Sequence, residues 1–167
     1  MYLSHASFTI RGSVITNHIL IICVGNVCRS PMAAALLSKR LEADYPETTV
    51  VSAGLQALVG RPAEPLAVAL MQERGIDITN HRAKQLTTTM LFDADLILTM
   101  STRQQEQIKS TLPTICGKVH RLGHWEPYDI TDPFKRPRGS FVQALALIDK
   151  GIDSWYQHLW NNNAKNH

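Results

Sequence analysis

Short, continuously apolar runs alternate along this chain with longer segments in which apolar residues recur every three or four positions. The apolar runs are rich in β-branched residues, a pattern typical of strands that are buried on both faces of a parallel sheet. We therefore predict four strands, at His18–Cys23, Thr48–Ser52, Asp95–Met100 and Lys118–Leu122.

Helix-start and helix-stop residues lie between the first three apolar runs. Ser30 is a candidate N-cap followed by Pro31, which suits the first position of a helix, and the pattern predicts that this helix continues to Tyr45. A second helix is predicted from Pro62 to Arg74, with Gly75 where it should end.

Two further helices are predicted in the second half of the chain. Ser101 and Gln104 have the spacing of a capping box and indicate a helix that continues to about Thr111. The last helix carries a single apolar stripe. The residues of this stripe are Phe141, Leu145, Ile148, Ile152, Trp155 and Leu159.

The alternation of strands and helices predicts an α/β protein with a single domain, residues 18–160. We expect a four-stranded, parallel, twisted sheet with helices on both faces. Residues 1–17 are interpreted as an N-terminal extension and residues 161–167 as a flexible tail. Ligands of such sheets lie beyond the carboxyl ends of the strands, which is where Cys23 lies.

Composition narrows the range of functions. The net charge of +3 is too small to indicate nucleic-acid binding, and no apolar run has the ~20 residues needed to cross a bilayer. The three cysteines are an odd number for a disulfide scaffold. We expect a monomeric cytoplasmic protein with at least one functional thiol.

The segment after the first strand has the residues of an anion-binding loop. Cys23 and Arg29 are six positions apart, and Gly25 and Asn26 between them allow the backbone to turn. Arg29 can bind two oxygens of a tetrahedral anion, and the helix after Ser30 adds its positive end. The same positive groups favour a thiolate at Cys23, to which Ser30 can donate a hydrogen bond. The other backbone donors of the loop would be Val24, Val27 and Cys28.

This loop resembles the signature of low-molecular-weight protein tyrosine phosphatases. The likeness extends through the motifs at residues 52–54, 95–100, 123–125 and 132–134, and covers roughly residues 18–160. Gly123-His124-Trp125 and the Leu-Val-Gly60 segment are most similar to bacterial members associated with exopolysaccharide export. The resemblance implies the phosphotyrosine phosphatase I-like fold, hydrolysis through a phosphocysteine on Cys23 without a cofactor or metal, and a membrane tyrosine autokinase as substrate.

A general acid is needed to protonate the leaving phenolate. Asp132, Asp129 and Glu126 are all candidates in the connection before the last helix, although Pro133 stiffens the chain beside Asp132. The resemblance implies Asp132 as the acid and subsequent base.

The resemblance also implies roles for residues around the loop. His81 would orient Asn26 and Ser30, and Phe134 would form an aromatic wall for the substrate ring. Family members often have further aromatic residues beside Phe134 and in the loop after the second strand. This chain has Lys135 and residues 56–59 there, without an aromatic ring, which predicts a more open cleft.

Two other cysteines and a histidine pair have alternative interpretations. Cys28 is expected to face the loop, where it could form a disulfide with oxidised Cys23 or could be a buried thiol without a redox role. Cys116 is interpreted as structural. His120 and His124 are four positions apart on a strand and loop, a spacing that need not bring their side chains together at a metal.

Other activities remain as alternatives. A thiol-dependent arsenate reductase on this scaffold would use two further cysteines near the middle of the chain, but none lies between Cys28 and Cys116. A cysteine phosphocarrier would not need Arg29 or an acid. Arginine phosphatases of the family carry threonine where this chain has Val27, so we expect a preference for phosphotyrosine.

Overall fold

The computed structural model describes residues 16–161 and places a four-stranded sheet between two layers of helices. The strands are β1 (His18–Cys23), β2 (Thr49–Gly54), β3 (Leu96–Thr99) and β4 (Val119–Arg121). The helices are α1 (Arg29–Leu41), α2 (Pro65–Gln72), α3 (Thr88–Asp93), α4 (Thr102–Thr111) and α5 (Arg138–Tyr156). The predicted α/β class and four-stranded parallel sheet are confirmed.

The order of the strands creates the crevice in which the candidate site lies. All pairings are parallel, in the order β2-β1-β3-β4. Because β2 and β3 flank β1 on opposite sides, the chain reverses its direction of winding at β1 and β3. Cys23 is the last residue of β1 and pairs with Gly54, while Ile22 pairs with Thr99.

The faces of β1 explain its continuous apolar sequence. Ile19, Ile21 and Cys23 belong to one core cluster, with side chains of α1, α2 and α5, whereas Leu20 and Ile22 belong to a second cluster, with side chains of α3 and α4. Successive side chains of a strand point to opposite faces, so a strand covered by helices on both sides needs apolar residues throughout.

The start of α1 corrects the predicted role of Ser30. The N-cap position is occupied by Cys28, without a side-chain capping bond, and the helix begins at Arg29. Ser30 therefore lies inside the first turn, and its hydroxyl is used elsewhere. The helix ends at Leu41 and not at Tyr45, since Pro46 disfavours helical backbone at the residue before it.

The second predicted helix also begins later than expected. Pro62 precedes the helix, and α2 begins at Pro65. The amide of Glu64 instead donates to the carbonyl of Val27, a contact that connects this segment to the loop after β1. The helix ends at Gln72, and Gly75 follows with a positive φ of 73°.

The later elements agree more closely with the sequence pattern. Ser101 caps α4 by accepting from the amide of Gln104, whose side chain accepts from the amide of Met100. The stripe on α5 is buried from Phe141 to Trp155. The pattern missed α3, the 3₁₀ helix Pro113–Lys118 and the π-helical turn Gln157–Asn161, which are too short for a periodic signal.

The predicted N-terminal extension lies outside the described residues except for Thr16 and Asn17, and the predicted tail does so except for Asn161. Across residues 16–161, none of the helices combines the length and the apolar character that a membrane span requires.

Candidate active site

The loop after β1 is held from outside by its own carbonyl groups. The carbonyls of Cys23, Val24 and Gly25 accept hydrogen bonds at 3.0 Å from the amides of Leu55, Gln56 and Leu58. Within residues 16–161, no carbonyl or side chain accepts from the amides of residues 24–29. Because the carbonyls are turned outward, these amides are free to act together on an anion.

Asn26 is the residue at which this loop turns. Its φ is 59°, in the left-handed region that asparagine tolerates, and its side chain is fully buried. Its Nδ2 donates to Ser30 Oγ at 2.8 Å and to Ser52 Oγ at 2.9 Å, and its Oδ1 accepts from the amide of Lys84 at 3.0 Å. These bonds fix both the backbone and the side chain.

Gly25 does not have the turning role that the sequence suggested. Its φ is not positive, and an added Cβ would make only ordinary contacts, the nearest at 3.6 Å from Val27. Close approach is required at Gly54 instead, where a Cβ would lie 2.5 Å from the carbonyl oxygen of Val24.

Ser30 directs a hydrogen bond at the candidate nucleophile. Its Oγ lies 2.9 Å from Cys23 Sγ. Since Asn26 already donates to this oxygen, the Ser30 hydrogen can point toward the sulfur. Cys23 is only 2% exposed, so solvent offers its sulfur few hydrogen-bond donors, and the Ser30 hydroxyl is placed to supply one.

Arg29 connects the loop to the segment after β4. The arginine is 4% exposed. Its Nη1 donates to the carbonyl of Ile130 at 2.7 Å, and its Nη2 lies 3.3 Å from Asp132 Oδ2. The structure thus brings Asp132, which is distant in sequence, to Cys23 and Arg29 at the carboxyl ends of the strands.

The three candidate acids have different surroundings. Asp129 accepts from Thr102 and Arg121; although burial acts in the opposite direction, these bonds lower the pKa of Asp129. Glu126 is paired with Lys150. Only Asp132 of the three contacts Arg29, and its side chain is 45% exposed. This position favours Asp132 for proton transfer beside the loop.

Phe134 lies in a tight turn that begins at Asp132, with Pro133 between the two residues. Its amide donates to Asp132 Oδ1 at 3.1 Å, and the amide of Arg136 donates to the carbonyl of Pro133. Lys135 has a φ of 60°, and its Nζ lies 5.4 Å from the centre of the Phe134 ring. The half-buried ring also packs against the main core cluster. Its place beside Asp132 is compatible with a substrate wall.

His81 supports the loop through Asn26. Its Nε2 lies 2.6 Å from the carbonyl oxygen of Asn26, so this nitrogen is the donor. Burial lowers the pKa of His81, which favours the neutral ring. The partners of Ser30 Oγ are Cys23 and Asn26, so His81 is linked to Ser30 only indirectly.

Cys28 lies beside the site as a buried, free thiol. Burial raises the pKa of Cys28, and the negative charges of Asp132 and Cys23 raise it further, so the protonated form predominates. A disulfide between Cys28 and oxidised Cys23 stays a prediction. Cys116 is exposed and lies in the 3₁₀ helix before β4.

His120 and His124 belong to an aromatic cluster. Both rings pack against Trp155, and the rings of Trp125 and His158 stack at 3.7 Å. Burial, with the nearby His124, lowers the pKa of His120 to about 4. Over the described range, no three metal-binding side chains converge. The Gly-His-Trp motif therefore contributes to packing at α5.

Two supporting residues had no assigned role in the sequence interpretation, although the likeness included their motif. Ser52 Oγ accepts from Asn26, and Gly54 leaves space for the carbonyl of Val24. A glycine at the end of a buried strand is a signal of close backbone approach. The hydroxyl of Ser52 gave no comparable signal, because its partner is 26 residues away in sequence.

Comparison with known proteins identifies a family match and similar sequences. The model of the family described as low molecular weight phosphotyrosine protein phosphatase matches residues 18–165. The probable low molecular weight protein-tyrosine-phosphatase EpsP of Ralstonia nicotianae is 48% identical over 141 residues, which cover 84% of this chain and 94% of that protein.

Two solved structures have the same fold. Vibrio vulnificus Wzb in complex with benzylphosphonate has a TM-score of 0.79 and 38% identity, covering 86% of this chain and 99% of that one. The YwlE arginine phosphatase of Geobacillus stearothermophilus has a TM-score of 0.81 and 32% identity, covering 90% and 97%. The fold is therefore shared with a protein whose name gives it as an arginine phosphatase.

Proposed function

Because the chain belongs to the low molecular weight phosphotyrosine protein phosphatase family and is a protein tyrosine phosphatase, we propose that it acts through a phosphocysteine on Cys23. The observation that carries this mechanism is the loop of residues 23–30. Its carbonyls are turned outward. Arg29 and Ser30 are the first residues of α1, and Ser30 forms a hydrogen bond with Cys23.

In the first step, Cys23 Sγ attacks phosphorus and the bond to the phenolic oxygen breaks. Asp132 gives its proton to that oxygen, so tyrosine leaves as a neutral phenol. The amides of residues 24–29 and the Arg29 guanidinium stabilise the charge on the equatorial oxygens. Ser30 stabilises the sulfur while it is an anion, before attack and on departure.

In the second step, water attacks the phosphocysteine and the S–P bond breaks. Asp132, now ionised, takes a proton from this water, and Cys23 leaves as the thiolate. The position of Asp132 beside Arg29, with its side chain 45% exposed, supports this role, since water must reach it. Asn26, Ser52 and His81 would hold the loop in place through both steps.

The proposed substrate is phosphotyrosine in a bacterial membrane tyrosine autokinase of exopolysaccharide production or export, dephosphorylated in the cytoplasm. The support is the likeness at Gly123-His124-Trp125 and the identity to EpsP. Within the loop, Val27 supports phosphotyrosine over phosphoarginine, because it offers no hydroxyl.

A panel of matched peptides tests this proposal. Peptides carrying phosphotyrosine, phosphoserine or phosphoarginine, together with the tyrosine-rich tail of an autokinase, are compared by kcat/KM. We expect phosphotyrosine to be preferred and the autokinase tail to exceed an unrelated phosphotyrosine peptide. Acid quenching during turnover should trap phosphate on Cys23. A preference for phosphoarginine, or the absence of a trapped adduct, would contradict the substrate or the mechanism respectively.

A further inference from the structure

The segment that carries the proposed acid is fixed to the sheet by a carboxylate that is not itself in the reaction. We propose that Asp129 is a positioning residue that holds both Arg29 and Asp132 in their working arrangement. This inference rests on the proposed function, because it concerns the two groups that would act on the phosphate.

A single carboxylate oxygen of Asp129 binds two elements, the helix α4 and the edge strand β4. Its Oδ1 accepts from the amide of Thr102 at 3.0 Å, from Thr102 Oγ1 at 3.1 Å and from Arg121 Nη1 at 3.1 Å. Thr102 is the first residue of α4, so its amide has no partner inside the helix, and the positive helix end attracts a carboxylate. Arg121 is the last residue of β4.

Ile130, the next residue, connects the Asp129 anchor to Arg29. The amide of Ile130 donates to the carbonyl of Met100 at 2.8 Å, and its carbonyl accepts from Arg29 Nη1 at 2.7 Å. Ile130 is 1% exposed, in contrast to its neighbours. The carbonyl that orients Arg29 therefore belongs to Ile130, the residue directly after Asp129.

Asp132 lies two residues farther along and contacts the other nitrogen of the same guanidinium. One short stretch of backbone thus sets the positions of both groups. The remaining contact of Asp132 is with the amide of Phe134 in its own turn, which does not fix the turn to the sheet. Without the Asp129 anchor, the turn keeps its local shape, but only Ile130 still holds the segment to the sheet, so the position of the turn relative to Cys23 is less firmly fixed.

Glu126 provides a matched control in the same connection. It also forms an ion pair on the outside, with Lys150, but this pair contacts neither α4 nor Arg29. A loss that arises only from a weakened surface ion pair would appear equally in Glu126→Gln. A loss that arises from the position of Arg29 and Asp132 would appear only in Asp129 variants.

The experiment compares wild type, Asp129→Ala, Asp129→Asn and Glu126→Gln. The measurements are kcat/KM for phosphotyrosine peptide and for aryl phosphates of decreasing leaving-group pKa, the inhibition constant of inorganic phosphate, and the melting temperature. We expect Asp129→Ala to lose about 10- to 100-fold on the peptide, because small displacements of reacting groups have effects of this size. The loss should shrink as the leaving group improves, and phosphate should bind more weakly.

Asp129→Asn keeps an oxygen that can accept from Thr102, so we expect a smaller loss with the same dependence on the leaving group. If Asp129→Ala does not fold, this variant is judged by the same criteria. An unchanged leaving-group dependence and phosphate affinity in the Asp129 variants, or a loss no greater than that of Glu126→Gln, would overturn the inference. A wild-type chain inactive on phosphotyrosine would instead overturn the proposed function.

Discussion

The two loops that meet at the site are held in different ways. In the loop of residues 23–30, every residue from Asn26 to Ser30 is buried, and neighbouring segments bind its carbonyls. The connection of residues 126–138 is mostly exposed, and Ile130 and Pro133 are its buried residues. The first loop is therefore held in place from all sides and is rigid, whereas the second is attached to the rest of the domain at a few points.

This difference matches the tasks that we assign to the two loops. Groups that stabilise a doubly charged anion work best when they are already oriented, because reorganisation during the reaction is then avoided. The acid must admit a leaving group and then water, which requires access to solvent. Four predictions follow the contrast between the rigid loop and the accessible one, and they are ordered by the size of the expected effect.

The largest effect is expected at the end of β1. Cys23→Ser should reduce turnover of phosphotyrosine by at least about 10³-fold, because an alcohol at this position is a far weaker nucleophile. Circular dichroism should show an unchanged fold, since serine is nearly isosteric. The control is Cys116→Ser, at an exposed thiol in the 3₁₀ helix, which should retain full activity. Substantial phosphatase activity in Cys23→Ser would show that the nucleophile is another group.

In the accessible loop, Asp132→Asn should slow the reaction within the roughly 10²- to 10⁴-fold range of general acids. The loss in kcat/KM should be greatest for tyrosine, a poor leaving group, and smaller for activated aryl phosphates. Asp153→Asn, which removes an exposed partner of Arg40, is the matched control. Equal slowing of good and poor leaving groups would assign Asp132 a different role.

The rigid loop should be sensitive to a single methyl group behind it. In Gly54→Ala, the added Cβ would lie 2.5 Å from the carbonyl of Val24, so the loop must move. We expect a loss of about 10- to 100-fold in kcat/KM and of about 1–3 kcal/mol in the free energy of unfolding.

The control for this methyl group is Gly139→Ala in α5, where nothing lies within 4 Å of the added atom. This change should stabilise the protein by about 0.4–1 kcal/mol. Urea unfolding measures both variants. A Gly54→Ala protein as stable and active as wild type would show that the loop is less tightly packed than we infer.

The smallest effect is expected from replacing the residues with left-handed backbone, which are Asn26 in the first loop and Lys135 in the second. Asn26→Gly permits the positive φ but leaves the buried hydroxyl of Ser52 without its donor, so stability should fall by about 1–3 kcal/mol. Lys135→Gly relieves strain at an exposed turn and should change stability by less than about 1 kcal/mol. Similar losses in the two variants would contradict the difference in rigidity.

The accuracy of the sequence prediction varies with the range of the interactions involved. The limits of β1 were predicted correctly, because a strand buried on both faces leaves a continuous apolar run. The start of α1 was wrong, since Ser30 has the composition of a cap but its hydroxyl is bound by Cys23 and Asn26. The start of α2 was wrong for a related reason, because Glu64 donates to the distant carbonyl of Val27.

By itself, the sequence determined the class of fold and the loop that starts at Cys23, since both depend on residues close together along the chain. The residues alone left Asp132, Asp129 and Glu126 as candidate acids, and the family resemblance implied Asp132. The tertiary structure decided which of the three carboxylates lies against Arg29, because contacts between distant segments depend on packing. The carbonyl that binds Arg29 is 101 residues away in sequence. Contacts of that range depend on how strands and helices pack, which no local pattern of residues records.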